Sequence, residues 1–175
     1  GFTHLFNGMT GIDHYRPGIA AAALAHAQYA ELIPDLQHVH PGAIRAALRA
    51  IPRLYCITDA TAATGMPDGE YALGSQVVHK CLGCVRLADG SSLAGSALAM
   101  DQALRNLVSI GLGLGDASNP FWGFPAEYLG LQDRGLIQPD AWADLVVLDR
   151  ELQVRQVFVE GEKIAAVGRN IAAAD

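Results

Sequence analysis

The sequence predicts an α/β fold with a parallel sheet, followed toward the C-terminus by a small layer of β-strands. Three observations predict it. Apolar segments of strand length alternate with helix-prone ones from Thr3 to Asp59, the rhythm of strands joined by crossover helices. Each strand segment stops at or runs into a polar residue, His4, His38 or Asp59, and in barrels of parallel strands chemistry gathers where the strands end. Beyond Ala143 the chain regains strong β character.

Thr3 to Phe6 reads as the end of a buried strand that enters a loop, Asn7 to Gly18, with turn residues Gly8, Gly11, Pro17 and Gly18. Ile19 to Ala27 is Ala-rich and helix-prone. Tyr29 to Leu36 is a mainly apolar run of strand length, ending at Gln37-His38-Val39-His40. Pro41 suits a first helical turn, and Ile44, Ala47, Leu48 and Ile51 follow at the spacing of one buried face, which turns Arg45 and Arg49 toward water. Leu54 to Thr58 is continuous and apolar enough for a strand covered on both faces.

Glu70 to Leu93 changes character: Gln76-Val77-Val78 and Val85-Arg86-Leu87 are separated by turn residues and predict an inserted antiparallel hairpin. Met100, Ala103, Leu104, Leu107 and Val108 predict an amphipathic helix, followed by a Gly- and Pro-rich stretch from Gly111 to Pro125. Asp144 to Leu148 and Val154 to Val159 are strands. Glu160 to Lys163 forms a turn, and Ile164 to Val167 completes the layer.

Composition narrows the function. The 175 residues are 51% hydrophobic and 17% charged, enough to bury a core. With a net charge of −6 and no run of Lys or Arg, the chain is a poor partner for nucleic acid. Its longest apolar stretch, Ile19 to Ala25, falls far short of the roughly 20 residues a membrane span needs, and no basic-then-apolar signal opens the sequence. A soluble cytoplasmic enzyme is the expectation. Cys56, Cys81 and Cys84 are an odd number and are read as thiols. The chain opens at Gly1 with a strand-like segment directly behind it, which reads as part of a longer barrel.

His4 stands at a strand end just before Asn7-Gly8-Met9, where a neutral imidazole can donate a ring nitrogen to a divalent metal; a hydrogen-bonded core histidine is the ordinary alternative. Asp59 precedes a small-residue loop, Ala60 to Gly65, that lets a ligand come close. A carboxylate there can accept the proton of a metal-activated water and hand it to a leaving amine, or it can simply cap a turn. His38 and His40 alternate along the chain, so only one can face a site shared with His4 and Asp59. Cys81-Leu-Gly-Cys84 lies in the hairpin with no second pair to complete a zinc knuckle, and Gly111-Leu-Gly-Leu-Gly115 has no following Lys to make a phosphate loop.

Thr3-His4-Leu5-Phe6-Asn7-Gly8-Met9, Pro17-Gly18, Gln37-His38-Val39-His40, Thr58-Asp59-Ala60-Thr61 and Leu93-Ala94-Gly95-Ser96 occur in one order. Together they resemble the N-acetylglucosamine-6-phosphate deacetylases of the amidohydrolase superfamily. The tail, Ala143 to Asp149 and Val157 to Gly161, resembles closing strands shared more widely there. The resemblance implies a (β/α)8 TIM barrel of the amidohydrolase type. Residues 1–138 would hold its last three βα units, with the hairpin inserted at about 70–93, and residues 139–175 would hold strands of a small β-sandwich.

It implies a metal-dependent hydrolase that removes the acetyl group of N-acetylglucosamine 6-phosphate, in amino-sugar catabolism. His4 would be a metal ligand, with a Glu and a His supplied by earlier strands. Asp59 would be the general acid/base and His38 the contact to the acetyl carbonyl or a sugar hydroxyl. Asn7 and Gly8 would meet sugar and phosphate, Arg16 the phosphate, and Leu93, Ala94 and Gly95 would form a loop closing over the substrate. The metal would be divalent: zinc is the first expectation, and iron, cobalt or manganese suit one imidazole and one carboxylate equally well. The full-length form would be a homodimer.

Two departures stand out. Tyr15-Arg16-Pro17-Gly18 replaces Arg-Glu-Pro-Gly, moving the arginine by one residue, and Ser118 to Pro125 carries two prolines and a glycine where the family runs a helix. The alternatives are an amidohydrolase acting on another N-acyl or cyclic amide, and an inactive piece lacking the earlier metal ligands.

Overall fold

The computed structural model describes residues 1–164, which form a mixed α/β structure with three small sheets. Helix α1 (Ile19–His26) leads to β1 (Tyr29–Leu32), and α2 (Pro41–Ala50) leads to β2 (Arg53–Cys56). β1 and β2 pair in parallel, from Tyr29 opposite Arg53 to Leu32 opposite Cys56, and Phe2 joins the far side of β1 by a parallel bridge to Ala30.

The expected first strand is thus shorter than predicted and ends in a bulge. Glu31 donates its N–H to Phe2 O (2.8 Å) and accepts from Leu5 N–H (2.7 Å). A regular parallel ladder would close on His4 N–H, so one extra residue is looped out. The second strand stops at Leu32 rather than Leu36, because Pro34 cannot donate to a ladder and Leu36 turns to a left-handed φ of 65°. β2 is buried at Leu54, Tyr55 and Cys56, as a strand covered on both faces should be. A row of side chains ties the three segments together: Glu31 accepts from the Thr3 hydroxyl (2.6 Å) and the Tyr55 hydroxyl (2.8 Å).

The helices follow their sequence signals. Thr10, nine residues upstream, caps α1: its hydroxyl accepts from Ile19 N–H (2.8 Å) and its carbonyl from Ala20 N–H (3.2 Å). Gly18 allows this, since a Cβ there would sit 2.5 Å from Gly11 O. His40 caps α2, its Nδ1 accepting from Gly42 N–H (3.1 Å), with Pro41 in the first turn. Ile44, Ala47 and Ile51 are buried with Leu5, Leu32, Leu54 and Leu107 in one core, to which α3 (Met100–Ser109) contributes Leu104 and Leu107.

The predicted hairpin is a three-stranded antiparallel sheet: β3 (Gly69–Leu73), β4 (Gln76–Cys81) and β5 (Cys84–Leu87). Its second turn is Leu82-Gly83, both at positive φ (50° and 77°), the geometry that matches the twist of flanking strands. The Gly- and Pro-rich stretch is not plain loop. It forms α4 (Leu114–Ser118), a 3-10 turn over Asn119–Phe121 and α5 (Gly123–Tyr128). Pro120 sits at the start of the 3-10 turn, where a missing N–H costs nothing.

In the tail, β6 (Leu145–Leu148), β7 (Val154–Val159) and β8 (Glu162–Ile164) form an antiparallel sheet. The turn before β8 is only Glu160-Gly161, both at positive φ. The rest of the expected last strand lies outside the described residues. Among the described residues no helix is long and apolar enough to cross a membrane.

Ile44→Ala is expected to lower stability by about 2–5 kcal/mol, seen as a lower urea midpoint at unchanged slope; an unchanged midpoint would remove Ile44 from the core.

Candidate active site

Because the three segments run in parallel, their C-terminal ends open on one edge, in the lateral order His4, the Asp35–His38 turn, Asp59. The bulge that interrupts the first segment puts His4 at φ 34° and Phe6 at φ 76°, turning the imidazole out of the alternation a strand would impose. His4 Nδ1 contacts Asn7 O at 3.0 Å. A carbonyl only accepts, so Nδ1 carries the hydrogen, and in the neutral ring the lone pair is on Nε2. Asn7 is held by its own N–H to His4 O (2.9 Å) and by its side-chain amide to Leu5 O (3.2 Å). Gly8 follows at φ 63°.

His38 is half-buried in the turn between Asp59 and His4. Its Nδ1 lies 2.6 Å from Asp35 Oδ2, with the two side chains 7% and 12% exposed. Asp35 Oδ1 accepts from Gln37 N–H (2.9 Å) and His38 N–H (2.8 Å). Burial pushes the Asp35 carboxyl up, but the His38 ring and these two N–H groups outweigh it, and the acid is held below its ordinary value. His40 is spent on the α2 cap, so of the two histidines only His38 belongs to this edge.

Asp59 adopts φ 50°, a left-handed conformation that Asp tolerates better than most residues. It is exposed, and its carboxylate has no hydrogen-bond partner among the described residues. Its backbone is fixed instead. Asp59 O accepts from Ser96 N–H (2.8 Å), Thr61 N–H donates to Ser96 O (2.9 Å), and the buried Ser96 hydroxyl donates to Thr58 O. The Leu93–Gly95 loop is thereby anchored beside Asp59, with Leu93 bridged to Arg86 and Ala94 N–H donating to Val85 O (3.1 Å). Gly95 sits at φ 62°, and a Cβ there would lie 2.5 Å from Thr61 Cγ2.

Arg16 stands apart in the exposed loop, where Asp13 Oδ1 accepts from Tyr15 N–H (2.8 Å) and Arg16 N–H (3.0 Å). Among the described residues no three His, Cys, Asp or Glu side chains gather as a metal site. Cys81 and Cys84 face each other across the β4–β5 turn as free thiols. Cys56 is buried, and burial pushes its thiol far up.

Sequence reasoning missed Asp35 and Ser96. The signal for Asp35 was Pro34-Asp35 at a strand end, a turn-forming pair that a strand drawn through Leu36 absorbed.

The carboxyl edge of a parallel α/β layer is where enzymes of this class place their small-molecule sites. No protein-family model matches the chain. It is 40% identical over 166 residues to an N-acetylgalactosamine-6-phosphate deacetylase of Escherichia coli O157:H7, covering 93% of this chain and 44% of that protein. It is also 40% identical over 163 residues to an Escherichia coli K12 protein provisionally named for the same activity, covering 91% of this chain and 97% of that one. A solved structure of Mycobacterium smegmatis N-acetyl-D-glucosamine-6-phosphate deacetylase, a D267A mutant in complex with N-acetyl-D-glucosamine-6-phosphate, matches with a TM-score of 0.85 at 40% identity. That match covers 92% of this chain and 44% of the other. The chain belongs to the family of N-acetylglucosamine- and N-acetylgalactosamine-6-phosphate deacetylases, and it spans less than half the length of most relatives it matches.

Gly95→Ala is expected to destabilise the protein by about 1–3 kcal/mol through the clash and the left-handed backbone. Adding Thr61→Ser, which removes Cγ2, should recover part of the loss in thermal denaturation; no recovery would show that this contact does not anchor the loop.

Proposed function

We propose that this chain supplies the C-terminal part of a metal-dependent amidohydrolase that converts N-acetylglucosamine 6-phosphate and water to glucosamine 6-phosphate and acetate. In this reading residues 1–138 hold the last three βα units of a (β/α)8 barrel, with the three-stranded sheet inserted after the third strand, and residues 139–175 hold strands of a small sandwich. The exposed apolar side chains of the tail sheet, such as Val146 (58% exposed) and Ile164 (47%), support a further layer over it.

The observation that carries the proposal is the common edge: an imidazole with a free Nε2 and an aspartate with an unengaged carboxylate stand at the ends of parallel segments two strands apart. His4 fits a divalent ion, since its Nδ1–H is anchored on a carbonyl as metal-bound histidines usually are. A zinc or similar ion held there with ligands from earlier strands would acidify water and polarise the acetamide. The Asp59 carboxylate would accept a proton from the attacking water and hand it to the departing amine. His38, through the ring nitrogen that Asp35 leaves free, meets the acetyl carbonyl or a sugar hydroxyl. Asn7, the Gly8 N–H and Arg16 bind the sugar phosphate, and Leu93, Ala94 and Gly95 close over the ring.

In the full-length protein, Asp59→Asn is expected to cut deacetylation by at least about 100-fold while sugar-phosphate binding, measured by calorimetry, persists; an active variant excludes the role. His4→Ala should lower the metal content measured by mass spectrometry, and an unchanged metal load would remove it from the ligand set. The names of the two Escherichia coli relatives favour a second reading, in which the substrate is the C4 epimer, N-acetylgalactosamine 6-phosphate. Comparing kcat/KM for the two epimers decides between them.

A further inference from the structure

Asp35 lies outside every motif that suggested the site, yet its carboxylate bonds directly to the His38 ring. Its two oxygens have separate tasks: Oδ1 accepts two backbone N–H groups of its own turn, and Oδ2 meets His38 Nδ1 at 2.6 Å. The turn is a demanding one, with Leu36 at φ 65°, and the pair is almost closed to solvent. A carboxylate offers no hydrogen, so the hydrogen between these atoms sits on Nδ1. The ring nitrogen left for substrate is Nε2. In the neutral ring it presents a lone pair, which accepts from a hydroxyl and engages a carbonyl only after taking a proton.

We infer that Asp35 is a positioning residue for the reaction: it locks His38 in the Nδ1–H tautomer and aims Nε2 at the bound sugar. The inference rests on the reading of His38 as a substrate-facing residue.

The geometry makes the effect of an isosteric change specific. In Asp35→Asn the two turn N–H groups still require an acceptor, so the amide oxygen stays at the Oδ1 position and the NH2 group faces His38. An NH2 donates, which forces Nδ1 to accept and moves the ring hydrogen to Nε2. The turn survives while the tautomer inverts.

The test is made in the full-length protein with three variants. Long-range 1H–15N NMR should show His38 protonated on Nδ1 in the parent and on Nε2 in Asp35→Asn, with kcat lowered roughly 10–100-fold and phosphate-end binding retained. Asp35→Ser, whose hydroxyl can still cap the turn but does not reach His38, should show a similar loss in kcat. If His38→Ala is fully active, the ring does not face the substrate, and both the reading of His38 and this inference fail. If His38→Ala is crippled but both Asp35 variants turn over at the parent rate, the role of His38 stands and the positioning role of Asp35 is overturned.

Discussion

The parallel register of three short segments is the constraint on which the rest depends. Phe2, Ala30 and Leu54 stand side by side, and once three strands run the same way their carboxyl ends must share an edge. The row Thr3–Glu31–Tyr55 crosses all three and fixes their lateral order, and the core beneath, built from Leu5, Leu32, Ile44 and Leu54, fixes which faces turn inward. Residues far apart in sequence are neighbours at that edge for this reason alone.

Each candidate side chain leaves the ladder by a different local device. A bulge turns out His4, an Asx turn with a left-handed leucine holds the loop of His38, and a left-handed aspartate continues β2 into the Ser96 clamp. Strained or irregular backbone at each exit is what a rigid scaffold makes affordable. The β3–β5 sheet is tied to the same edge: the Arg86–Leu93 bridge and the Ser96 hydrogen bonds hold the Leu93–Gly95 loop beside Asp59.

What the sequence disclosed followed from periodicity and capping. α2 was legible because Pro41 and the spacing of Ile44, Ala47 and Ile51 agree, and β2 because Leu54 to Cys56 is apolar without interruption. The first strand was overdrawn, since nothing in Thr3-His4-Leu5-Phe6 marks a bulge; that is a property of hydrogen-bond register, visible only when the partner strand is in place. β3 was not singled out within Glu70 to Leu93 because Tyr71-Ala72-Leu73 reads as a short unbroken apolar run; its alternation, with Tyr71 and Leu73 half-buried and Glu70 and Ala72 exposed, shows only in the folded sheet. His4, His38 and Asp59 were singled out through position and resemblance. Asp35 was not, because its role arises from folding the chain back on itself within four residues.

In the proposed reaction His4 and Asp59 serve one metal ion. Anomalous diffraction from crystals of the full-length protein loaded with zinc tests it directly. An anomalous peak is expected about 2.0–2.1 Å from His4 Nε2, with the Asp59 carboxylate within hydrogen-bond reach of a solvent molecule on that ion. A metal bound elsewhere, or one bound here with Asp59 directed away from its solvent ligand, would contradict it.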